Sequence, residues 1–196
     1  MTEPIHFVHP HLWERLKKEL PEDVCRRAKV KFEDGVYKVP FLRDLYGVDP
    51  QEAAFKVIKA PQVPSPELQV GVLEYLLGAK DLPLKGRWVL MKDLKGGGAF
   101  AASHPLPLEP ILERYGQDPD GFGRKGVELG GERASFGDAS LKFWALPRVP
   151  LLFVLWRGDE EFPPRLSVLF DPTAPEHMPL DALYGLAVEI CHRLSS

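Results

Sequence analysis

Proline is the residue that most limits this chain. It occurs 20 times in 196 residues, about a tenth of the sequence, where roughly 5% is ordinary. Each proline fixes φ, removes a backbone donor and interrupts a helix interior or a central strand. The prolines fall singly or in pairs between periodic stretches. They therefore punctuate many short elements and stiffen the connections against unfolded-state entropy. No fixed-period repeat runs through that spacing, so a solenoid is excluded.

Composition adds few further limits. Apolar residues make up 44% and charged residues 27%, ordinary globular usage, and a chain this long buries roughly 70% of its unfolded surface without a staple. One compact domain over residues 1–196 is expected, with residues 1–10 read as a mobile terminus. Net charge is −3 with a pI near 6.1, which argues against a nucleic-acid footprint. Cys25 and Cys191 are far apart and no C-x-x-C pair exists. Neither a disulfide scaffold nor a cofactor held by a cysteine cluster is expected. The N-terminus lacks a basic segment followed by an apolar one. The longest apolar run, Val149 to Trp156, is eight residues against the roughly 20 of a membrane span. The chain reads as soluble and cytoplasmic, without a membrane partner.

Periodicity gives the elements. Leu12, Trp13, Leu16 and Leu20 form a helical stripe that Pro21 stops, and Val24, Cys25 and Ala28 begin a second short helix. Alternation over 29–32 and 36–39 flanks Asp34-Gly35, a hairpin signal. Phe55 to Ile58 prefers strand, although Asp49-Pro50 before it resembles a helix cap. Ser65-Pro66-Glu67 opens a helix that Gly78 ends, Leu108 to Tyr115 forms another, and Asp118-Pro119 caps a third reaching about Leu129. Residues 139–145 alternate, Val149–Trp156 is apolar on both faces and Leu166–Phe170 follows. Together they predict a three-stranded meander with a central middle strand. Leu180 to Leu194 carries one apolar face. The class is α+β. An antiparallel sheet, built of the C-terminal meander and the N-terminal hairpin, is packed by several helices including the amphipathic C-terminal one.

Several stretches together carry a resemblance. Leu76-Leu77-Gly78-Ala79-Lys80 precedes Gly86-Arg87-Trp88-Val89. Pro147-Arg148-Val149-Pro150-Leu151 runs on to Leu155-Trp156-Arg157-Gly158-Asp159-Glu160-Glu161-Phe162-Pro163-Pro164 and then Leu169-Phe170-Asp171. From about Arg26 to Leu194 the chain resembles the uncharacterised prokaryotic family known as domain of unknown function 3786. That resemblance supplies no activity. Because some relatives carry an iron–sulfur segment beside the domain and come from anaerobes, it implies redox or corrinoid metabolism. An iron–sulfur protein is then a possible partner, since two isolated cysteines cannot supply four thiolates.

Candidate sites divide between chemistry and packing. Asp159, Glu160 and Glu161 could bind a cation or shift one another's ionisation, or be solvated gatekeepers beside apolar strands. At least one carboxylate is expected to be held by Arg148 or Arg157, with Phe162 folded inward as the loop's anchor. Arg148 could also fork onto Asp171. Lys95-Gly96-Gly97-Gly98 lacks the order of a P-loop and reads as a flexible turn. His6, His9 and His11 could attract a metal, but Pro10 bars a regular helix or strand through them and no metal site is expected; His104 and His177 are single loop histidines. Cys25 and Cys191 read as packing residues, and Trp88, Trp144 and Trp156 as core or, for Trp144, the lining of a pocket or interface. With no nucleophile motif present, the leading expectation is a small-molecule or cofactor-binding domain. Its site would use Arg148, Trp156, Arg157, Asp159, Glu160 and Glu161. A protein-interaction module is the alternative, and a carboxylate-dependent hydrolase or transferase ranks third.

Overall fold

In the computed structural model, residues 10–61 and 63–196 are described. The first half opens with α1 (Pro10–Leu16) and α2 (Pro21–Ala28), then the strands β1 (Lys31–Glu33), β2 (Val36–Phe41), β3 (Asp44–Asp49) and β4 (Ala54–Lys59), and closes on α3 (Pro66–Gly78). β5 (Val89–Leu90), α4 (Gly97–Ser103), α5 (Glu109–Tyr115) and α6 (Pro119–Glu128) lead to β6 (Glu132–Ala134), β7 (Ala139–Leu146), β8 (Val149–Trp156) and β9 (Arg165–Phe170), with α7 (Ala174–His177) and α8 (Leu180–Ser195) last. The class is α+β, but the strands form two sheets. One is the meander β1-β2-β3-β4; the other has the order β5-β9-β8-β7-β6. The expected hairpin thus grows into a sheet of its own, and the expected meander gains one short strand on each edge. Edges this short limit unwanted strand pairing.

Proline placement explains the short elements. Pro10, Pro21, Pro66, Pro110, Pro119 and Pro175 all lie at the first or second position of a helix, where no intrahelical N–H is lost. Among the described residues only Pro40 and Pro150 lie inside strands. β1 pairs with β2 only as far as Lys38, and β9 pairs with β8 only from Leu151. Each proline therefore sits where one neighbouring strand has ended, so only one ladder feels the missing donor.

Local signals act as read. Asp34 and Gly35 have φ of 53° and 79°, the left-handed pair of a two-residue hairpin turn. Ser65 accepts a hydrogen bond from the Leu68 N–H, and Asp118 from the Gly121 N–H. Leu20 departs from its stripe: α1 ends at Leu16, and Leu20 is exposed just ahead of α2. One hydrophobic core runs from Leu12 to Leu194 and includes Leu151, Phe153 and Leu155 of β8. β8 is buried along nearly its whole length, the burial expected of a central strand.

Between α3 and β5, residues 79–88 cross the surface with no regular structure. Buried side chains pin them from below. The His177 Nδ1 accepts the Lys80 N–H at 3.2 Å. Arg148 pairs with Asp81 and donates to the Leu82 carbonyl. Asp171 accepts the N–H groups of Lys85 and Gly86 at 3.2 and 2.9 Å. No helix among the described residues is long and apolar enough to cross a membrane.

Candidate functional site

β8 leaves the core at Trp156, and the antiparallel register sets that residue opposite Arg165 at the start of β9. The Arg165 guanidinium lies 4.3 Å from the centroid of the indole, a cation–π contact. Between them the chain reverses around Asp159. One oxygen of its carboxylate accepts the N–H groups of Glu161 at 2.9 Å and Phe162 at 2.7 Å, and the Asp159 N–H donates to the Phe162 carbonyl at 2.9 Å. This is an aspartate-anchored turn. The Phe162 N–H first, then that of Glu161, holds the Asp159 carboxyl below its usual range.

The far side of the loop is seated on the turn after α5. The Gly158 N–H donates to the Gly116 carbonyl at 3.3 Å, and the Pro164 ring closes on both glycines. A Cβ added at either would come within 2.7 Å of that ring, so both positions require the smallest residue. With both ends held, the loop frames a cleft of about 450 Å³ lined by Trp156, Arg157, Phe162, Pro163, Pro164 and Arg165. Its walls are rings, and its polar side-chain groups are two guanidiniums and the Trp156 indole N–H. Phe162 stands on the rim, 66% exposed. Among the described residues no carboxylate pairs with either arginine side chain; only the backbone N–H of Arg157 is engaged, by Asp138 at 2.8 Å.

The residues singled out from sequence separate into two groups. Trp156 and Arg157 line the cleft. Asp159, Glu160 and Glu161 are on the same loop, but they are exposed and do not line it. The expected arginine clamp on these acids is absent among the described residues: backbone amides satisfy Asp159. Arg148 lies at the opposite end of β8, whose eight residues put roughly 25 Å between them. There Arg148 is 6% exposed, its donors taken by Asp81 and the carbonyls of Arg26, Arg27 and Leu82. Asp171, its other proposed partner, is instead occupied by Lys85, Gly86 and Thr173. Phe162 does not fold inward, because Asp159 already closes the turn and Pro164 takes the seat. Arg165 escaped the sequence reading. Its signal was the hairpin itself, which pairs the residues on either side of the loop.

The remaining candidates are structural. A second cleft of about 350 Å³ lies at the Arg148 end, with Asp81, Leu82 and Trp144 among its walls, but the Arg148 guanidinium there is spent on protein partners. Lys95-Gly96 form a turn, as expected, but Gly97-Gly98 begin α4, and a Cβ on Gly97 would collide with the Met91 carbonyl. His177 is fully buried at the end of α7, not on a loop. Burial raises the Cys191 thiol pKa to about 12, which suits a packing residue. His6, His9 and all but the last residue of the expected mobile terminus lie outside the described residues. Among those described, no group of three or more His, Cys, Asp or Glu side chains could hold a metal ion.

Neither a curated protein nor a solved structure matches the chain. The family model described as "Domain of unknown function (DUF3786)" matches residues 21–193. Since that span includes both sheets and the whole β8–β9 loop, the chain belongs to this family.

Proposed function

We propose that the protein binds a small molecule in the cleft between Trp156 and the Phe162 rim. One observation carries the reading: a recess of about 450 Å³, walled by two aromatic and two proline rings, contains two guanidiniums that form no ion pair among the described residues. Ligand pockets commonly measure about 300–1,000 Å³ and combine apolar walls with a few polar groups. The loop is held at both ends before any ligand arrives, which lowers the ordering cost of binding. The lining supplies no nucleophile and no general base, so the reading is retention of a ligand, not its conversion. A redox or corrinoid setting rests on the family resemblance alone.

A fragment screen read by protein NMR tests this. Bound fragments should move the Trp156 indole N–H, and F162A should weaken them, since Phe162 supplies one wall. A screen in which no fragment perturbs Trp156 would remove the reading. The exposed Phe162 ring favours a competing role as an anchor for a protein partner. A host protein that co-purifies with the wild type but not with F162A, alongside a silent screen, would establish that role instead.

A further inference from the structure

We infer that the cleft selects an anion carried at one end of a flat, apolar body: an aromatic carboxylate or an aryl phosphate. This rests on the small-molecule reading and specifies the ligand's class. The polar side-chain groups in the lining are the guanidiniums of Arg157 and Arg165 and the Trp156 indole N–H, which donate only. Guanidinium donates hydrogen bonds and accepts none, so whatever polar group enters must be an acceptor. Two guanidiniums, neither ion-paired to a carboxylate among the described residues, favour an acceptor bearing negative charge. Carboxylate and phosphate match the planar fork of arginine better than other anions of this size.

The indole stack fixes Arg165 further. Its guanidinium carbon lies 4.3 Å from the Trp156 ring centroid, and no group among the described residues accepts a hydrogen bond from it. The rest of the lining consists of the Phe162 ring and two prolines, surfaces that accept a ring by stacking and offer it no hydrogen bond. The Asp159, Glu160 and Glu161 carboxylates stand on the same loop outside the cleft. They repel a second negative group beyond the rim, so the ligand's charge belongs at the arginine end alone.

The probes are benzoate, phenyl phosphate, benzamide, benzylammonium and inorganic phosphate, each titrated against the full chain while the Trp156 indole N–H is followed. Benzoate or phenyl phosphate should bind roughly tenfold more tightly than benzamide, and benzylammonium should not bind. R157Q and R165Q should each weaken the anions about fivefold or more and weaken benzamide by less. Lysine at the same positions should restore part of the loss. Added salt should weaken the anions only. If benzamide equals benzoate and ignores both substitutions, the charge requirement is wrong and the small-molecule reading survives. If inorganic phosphate equals phenyl phosphate, the apolar body is wrong. If no probe moves Trp156, the inference and the reading beneath it both fall.

Discussion

His177 has no exposed surface. Its Nδ1 accepts the Lys80 N–H, so the neutral ring carries its proton on Nε2, and that atom has no hydrogen-bond partner. Burial first, then the positive charge of Arg148, holds its pKa below 6.5; Glu176 opposes them, and Lys80 (lowering) and Asp171 (raising) act less. The unfolded chain therefore takes up this proton more readily than the folded one. Stability from His177 is complete above pH 6.5 and is lost as the pH falls through the folded value. Urea midpoints measured from about pH 7.5 to about 5 should decline. H177N, whose amide oxygen can still accept the Lys80 N–H, should flatten that slope; an unchanged slope in this variant would assign the loss to other groups. Asp159 makes a second test. D159N keeps an acceptor for the two amides of its turn, whereas D159A loses it, so backbone relaxation over 159–163 should show greater mobility in D159A alone.

Gly158 shows how a single contact shapes a whole element. A Cβ there would meet Pro164 at 2.7 Å and the Gln117 amide at 2.8 Å, so the connection must lift from its seat. G158A should cost about 1–3 kcal/mol by denaturant unfolding, the usual scale of overpacking, and should lower probe affinity by distorting the cleft. Equal affinity and stability would show that the seat is not rigid. What could be read from sequence at this scale was local chemistry: the Asp34-Gly35 turn, the Ser65 and Asp118 caps, and the double-sided burial of β8. The division into two sheets was hidden because pairings such as β5 with β9 join residues about 80 positions apart, beyond the reach of periodicity. The candidate site was half legible for the same reason. Trp156 and Arg157 lie within the notable stretch, whereas Arg165 joins them only through strand register. The acidic trio drew attention by its charge density, yet its first member serves a turn.

At the scale of the molecule, α8 ties the two sheets together. Arg193, near its end, pairs with Asp44 of β3 and with Glu189, and its guanidinium lies 4.9 Å from the Phe41 ring of β2. The Asp44 and Glu189 side chains are 11% and 10% exposed. R193A would leave both carboxylates buried without their cation, at a cost of about 3–5 kcal/mol. Denaturant unfolding should show this loss, with the four-stranded sheet melting ahead of the other; a loss under about 1 kcal/mol would mean water replaces the cation. The surface strap over residues 79–88 crosses from one half of the molecule to the other and has no ladder of its own. Its amides are held by His177 and Asp171, both anchored in the core. In deuterated solvent, the Lys80, Lys85 and Gly86 amides should therefore exchange far more slowly than those of Leu84 and Arg87 beside them, at a rate set by opening of the core beneath. A stretch that looks like coil would then keep the isotope clock of the molecule's interior.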